Sequence, residues 1–201
     1  MRKIIVVTGL GDDGKATALA TVGWKKLELR PIVFVPKWEN KEGLESKLAK
    51  LLEIIDKESK TEKIFLLGIS AGASLAMNAF MQRLDRLEKL VSVCGRLRFG
   101  WSRDKIKRKL QENTLSYLAF RESVEMLEKN IKYLGKVDRR RIMTVSAKFG
   151  DEMIPRGTSQ LPGAKNILIP TIGHLLSILS AMTANFEPIR KFLVGESSGL
   201  D

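Results

Sequence analysis

Six short apolar runs recur along the 201-residue chain: KIIVVT (3–8), PIVFVP (31–36), KIFLLG (63–68), KLVSVC (89–94), RIMTVS (141–146) and NILIPT (166–171). Each is continuously apolar rather than alternating, the pattern of a strand covered on both faces. Helix-like stretches separate them, at 15–29, 44–57, 71–84 and 174–193. In the second, Leu44, Leu48, Leu51, Leu52 and Ile55 keep the i, i+3, i+4 rhythm of a buried helix face. Regular strand–helix–strand alternation leaves few architectures open. It predicts an α/β fold, with a mostly parallel sheet of about six strands and helices on both faces. No internal repeat or linker interrupts the pattern, so residues 1–201 are expected to form a single domain.

Composition removes several classes. The single Cys94 excludes an intramolecular disulfide and fits a reducing, cytoplasmic setting. The first apolar run breaks at Thr8-Gly9, too early for a signal peptide, and no apolar stretch reaches the ~18 residues of a membrane span. A net charge of +12 favours acidic partners (nucleic acid, anionic membrane or an anionic substrate), and +8 of it lies between Gly95 and Arg141. A non-enzymatic binder using that segment is one alternative. The aromatics there, Phe99, Trp101, Tyr117, Phe120 and Tyr133, are widely spread, a poor fit for stacking on single strands.

The loop after the first run reads GLGDDGKA (9–16) and fits three templates. As a P-loop it lacks the Ser or Thr that follows the lysine, because position 16 is Ala, and it places Asp12 and Asp13 among phosphates. As a dinucleotide loop it calls for an acid at the end of the second strand, which instead ends Val35-Pro36-Lys37. An NAD(P)-dependent oxidoreductase using Gly9 to Gly14 therefore stands as an alternative. The third template is a turn that aims backbone N–H groups at an oxyanion.

A second motif favours that third template. Gly68-Ile69-Ser70-Ala71-Gly72 is G-x-S-x-G between a predicted strand and a predicted helix, where a nucleophilic serine needs small neighbours. The sequence holds one histidine, His174, just after the last strand. Asp151 follows the preceding strand in the turn GDEMIP, with Glu152 as the neighbouring rival. The order nucleophile, acid, base puts a proton acceptor and an orienting carboxylate at the same sheet edge as the serine.

In GISAGAS, GDEMIP and TIGH, taken together and in this order, the chain resembles a small α/β-hydrolase over nearly its whole length. The resemblance implies a serine hydrolase that cleaves a carboxylic ester through an acyl-enzyme. Ser70 would be the nucleophile, His174 the base and Asp151 its partner. The family's H-G-x loop reads Thr8-Gly9-Leu10 here, so the N–H groups of Leu10 and Ala71 would form the oxyanion hole. No metal or organic cofactor is implied. Aligned this way, the chain starts at the family's third strand and lacks the two strands that usually precede it. The long basic excursion, residues 95–140, falls where the family inserts a cap. It is expected to form a small helical cap from helices at 103–111 and 116–134, with Leu118, Val124, Leu127, Ile131 and Leu134 lining the acyl pocket. Arg96, Arg98 and Arg103 would then rim the entrance and favour an anionic ester.

Overall fold

The computed structural model of the chain describes residues 1–99 and 116–195. Its strands are β1 (Arg2–Val7), β2 (Leu29–Phe34), β3 (Ile64–Ile69), β4 (Leu87–Val93), β5 (Ile142–Ala147) and β6 (Lys165–Ile169), each within two residues of an apolar run. They form one sheet in the order β2-β1-β3-β4-β5-β6, and every pairing is parallel. Side chains alternate between the faces of a strand, and both faces here are covered. Ile5 and Val7 enter one core with Leu66, and Ile4 and Val6 enter the other with Phe65 and Leu67. That double burial is why the strands read as unbroken apolar runs.

The first core lies under α2 (Leu44–Glu58), α3 (Ala71–Gln82) and α4 (Ser116–Asn130). All residues of α3 from Ala71 to Phe80 are buried, so this helix is apolar nearly all round. The second core lies under the turn Val22–Leu27, α7 (His174–Met182) and α8 (Glu187–Val194), where Trp24 stacks on Phe186 at 4.1 Å. Three short helices, α1 (Lys15–Ala20), α5 (Lys136–Arg139) and α6 (Arg156–Ser159), and a 3₁₀ turn, Ile131–Tyr133, complete the elements of the described residues.

Two predicted helices are shorter than expected. The stretch 15–29 is helical only to Ala20 and then tightens into a 3₁₀ turn, Val22–Leu27, around Gly23. The stretch 174–193 breaks between Met182 and Glu187. Pro188 has no N–H to donate and its ring crowds the carbonyl four residues back, so one helix cannot pass through it.

The excursion also differs from expectation. Its second helix, α4, packs on the sheet's flank against α3 and α2 instead of over the strand ends. Val124 and Leu127 are fully buried there, Leu134 nearly so and Ile131 partly, while Leu118 faces solvent. The reason lies on α3, whose Ser74 and Asn78 are buried polar groups that need partners. Asn78 donates its amide to the Ser123 carbonyl at 2.8 Å, and the Ser123 hydroxyl donates to Ser74 Oγ at 2.9 Å. The other helix expected of the cap, 103–111, lies outside the described residues.

Candidate functional site

All six strands run the same way, so their carboxyl ends share one edge. The chain leaves β1 toward β2 on one side and returns to β3 on the other, which opens a crevice outside the ends of β1 and β3. The loop 8–14 leaves β1 there, and Ser70 follows β3.

Ser70 sits at φ 51°, ψ −118°, a conformation that costs a non-glycine residue about 1–3 kcal/mol. Its surroundings hold it there. Ser70 N–H donates to Val93 O at 3.0 Å, and Ser70 O accepts from Ala73 N–H at 3.1 Å. The flanking glycines make the turn possible: a Cβ at position 68 would lie 2.5 Å from Ala73 Cα, and one at position 72 would lie 2.4 Å from Val7 O. This is the steric content of G-x-S-x-G.

Beyond β5 and β6 the two loops stay paired. Lys148 N–H donates to Ile169 O at 2.9 Å, Phe149 N–H to Thr171 O at 3.0 Å, and Gly173 N–H to Gly150 O at 2.8 Å. This ladder carries Asp151 and His174 to the same place. His174 Nδ1 lies 2.8 Å from Asp151 Oδ2, and Nε2 lies 2.9 Å from Ser70 Oγ. The carboxylate can only accept, so Nδ1 carries the proton and the Ser70 hydroxyl donates to Nε2. Both the imidazole and the carboxyl are nearly buried, at 3% and 6% exposure. Burial pushes the Asp151 carboxyl up. The His174 N–H and the backbone N–H groups of Ile154 and Met153 outweigh it and hold the carboxyl below its ordinary range.

Ala71 N–H stands at the start of α3, directly after Ser70, and Leu10 N–H stands in the β1 loop, where Leu10 lines the same cavity as Ser70. Among the described residues neither amide has an intramolecular acceptor, which leaves both free for an oxyanion. Thr8 shapes the loop: its carbonyl accepts from the Trp38 indole at 3.2 Å, and its hydroxyl reaches Asp12 O at 3.4 Å. The amides that a phosphate would need are already occupied. Gly14 N–H donates to Asp12 Oδ1 at 2.7 Å and Lys15 N–H to Asp13 Oδ1 at 3.0 Å. Among the described residues no group of three or more His, Cys, Asp or Glu side chains could hold a metal ion.

A cavity of about 550 Å³ opens beside Ser70 and His174, between the β1 loop with α1 on one side and α7 on the other. Its walls include Ala16, Ala20, Ile178, Leu179 and Met182, and none of the described residues of the excursion lines it. The two described arginines expected at an entrance are bound to main-chain carbonyls, and neither lines the cavity, although Met153 does. Arg96 is buried and donates to Met153 O at 2.6 Å, and Arg98 donates to Gly157 O at 2.6 Å. Arg103 lies outside the described residues.

Two features escaped the sequence reading. Glu152, considered there only as a rival acid, accepts the His174 main-chain N–H on both carboxylate oxygens, at 3.0 and 3.2 Å. Its signal was indirect: α7 begins after Gly173, which has no capping side chain. Lys47 is fully buried, donating to the carbonyls of Pro36 and Lys37 at 3.0 and 2.7 Å. Burial lowers its pKa, and nothing in its sequence context distinguished it from a surface lysine.

No family model matches the sequence, and no curated protein matches it either. Solved structures do. A hydrolase from Oleispira antarctica superposes with a TM-score of 0.67 at 14% identity, covering 96% of this chain and 91% of its own. The monoacylglycerol lipase of Paleococcus ferrophilus gives 0.65 at 13% identity, covering 95% and 93%. A thermophilic esterase from Thermogutta terrifontis gives 0.64 at 16% identity, covering 96% and 91%. The chain has the α/β-hydrolase fold. Within that fold the six parallel strands, the turn at Ser70 and the loops bearing Asp151 and His174 occupy one continuous edge.

Proposed function

We propose that the protein is a serine hydrolase acting on carboxylic esters. The observation that carries this reading is the unbroken chain from Ser70 Oγ through the His174 ring to Asp151, at 2.9 and 2.8 Å, on a strained strand-to-helix turn. Ser70 Oγ bonds to the ester carbonyl carbon as its proton passes to His174 Nε2. The carbonyl oxygen becomes an oxyanion held by the N–H groups of Leu10 and Ala71. The intermediate collapses, the C–O bond to the alcohol breaks, and His174 returns the proton to the departing oxygen. Water then repeats the sequence on the acyl-enzyme, releasing the carboxylic acid and restoring Ser70. Asp151 keeps the imidazole in the tautomer that leaves Nε2 free and stabilises the imidazolium. The nucleotide-binding alternative is weakened by the two aspartates that occupy the α1 amides.

A fluorophosphonate probe with peptide mapping tests the proposal. It should modify Ser70, and Ser70→Ala should abolish both labelling and ester turnover. Asp151→Asn should lower kcat by about 10³-fold or more while preserving the fold. Unchanged labelling of the Ser70→Ala protein, or none of the folded wild type, would overturn the assignment.

A further inference from the structure

We infer that the substrate carries an uncharged, extended apolar chain that lies in the cleft between α1 and α7. This specificity rests on the hydrolase reading. At about 550 Å³ the cleft has the size of a small-molecule site, and it opens directly beside Ser70. Ala16 and Ala20 present only methyl groups from α1, and that missing bulk is what leaves the space. Opposite them, α7 turns Ala181 and Met182 into the core yet leaves Leu175 and Leu179 at 77% and 56% exposure. Leu179, Ile178 and Ala16 line the cleft, so an apolar chain seated there covers surface that now faces water.

The charges at the mouth set the polarity of that chain. Among the described residues no lysine or arginine lines the cleft, whereas Asp12 and Asp13 do. Among the described residues Asp12 accepts only from neutral donors, the Gly14 N–H at 2.7 Å and the Thr17 hydroxyl, and pairs with no cation. Asp13 pairs with Lys15 at 3.3 Å, an exposed contact that solvent screens. A carboxylate at the end of the substrate chain would face like charge without a counter-ion. Among the described residues the basic character of the protein does not extend to this cleft, which argues against the anionic substrate expected from Arg96 and Arg98.

The experiment combines turnover with binding. Hydrolysis is compared for p-nitrophenyl acetate, octanoate and hemisuberate (the octanoate chain ending in a carboxylate), and for ethyl against octyl acetate. Binding of the same esters to Ser70→Ala is measured by calorimetry. Octyl or octanoyl chains should raise kcat/KM and tighten binding at least tenfold over their short counterparts, and hemisuberate should lose that gain. Ala16→Trp, on an exposed position that can accept bulk, and Leu179→Asp should each cut the long-to-short ratio at least tenfold. Turnover and binding that are flat with chain length in both series would overturn the cleft assignment and leave the hydrolase reading standing. Hemisuberate matching or exceeding octanoate would overturn the exclusion of anions. Chain-dependent binding without turnover of any ester would support the cleft and count against the hydrolase reading.

Discussion

A helix leaves its first N–H groups without intrahelical acceptors, and α7 begins on the proposed base itself. Gly173 cannot cap it, so Glu152 reaches across from the β5 loop and holds His174 N–H with both oxygens. A negative charge at this end also suits the helix dipole. Two adjacent carboxylates thus fix one residue at two levels: Asp151 orients the ring, and Glu152 anchors the main chain beneath it. The Asp151 carboxyl is held below its ordinary range. Its stabilising contribution is complete above the ordinary carboxylate pKa of about 3.9 and fades only as pH falls through the lower folded value. Asp151 therefore sets no acid limb of the pH–rate profile above that ordinary value. Loosening the main chain should misplace Nε2 without touching the substrate. Glu152→Ala is expected to lower kcat by about 10- to 100-fold with little change in KM, while Glu152→Gln, which keeps an acceptor oxygen, retains most activity. A variant that melts earlier yet keeps wild-type kcat would reduce Glu152 to a helix cap. That Ser70, Asp151 and His174 would stand together at one sheet edge was legible because residue type and position after a strand are both written in the chain. The role of Glu152 depends on two loops 22 residues apart lying side by side, and no local pattern records that.

Between elements, α4 shows that an apolar stripe can be read from sequence without its packing partner. The spacing of Val124, Leu127 and Leu134 marks a face that must be buried, but periodicity does not name the partner. The partner is α3, whose Ser74 and Asn78 are matched by Ser123 on the incoming helix. The strands were easier to read because alternate residues such as Ile4 and Ile5 serve opposite cores, which no surface segment imitates. Breaks inside helical stretches were harder. In 174–193 the apolar rhythm continues past Pro188, while the turn before it is closed by Asn185 N–H donating to Ser180 O at 2.7 Å. The placement of α4 carries a direct test. Leu127 is fully buried, so Leu127→Ala should cost about 2–5 kcal/mol in urea unfolding. The preference among esters of different chain length should stay the same, because no described residue of the helix lines the cleft. A changed chain-length preference with unaltered stability would instead put α4 over the substrate, as a cap.

Across the whole molecule, a net charge of +12 has to be carried by a body of about 16–17 Å radius of gyration. At 0.01 M salt the screening length is about 30 Å, longer than that radius, so each cation feels nearly all the others; near 0.15 M it is about 8 Å and the repulsion becomes local. Salt also weakens ion pairs such as Arg83–Asp56 and Arg190–Glu187, at 2.8 and 2.7 Å. Those pairs are partly exposed and each contributes little, whereas the self-repulsion of a large net charge acts on the folded state as a whole. Repulsion should therefore win, and the protein should be more stable as salt rises through this range. A gain of about 1 kcal/mol would raise Tm by about 2–4 °C for a chain of this size. Under the same change, kcat/KM for a neutral ester should hold steady, since the cleft beside Ser70 holds no described cation and an uncharged substrate is not steered. Thermal melts and rates at the two salt concentrations check both halves. A Tm that falls with added salt would mean that the ion pairs outweigh the repulsion. Rates for a neutral ester that fall steeply would mean that the basic surface takes part in binding after all.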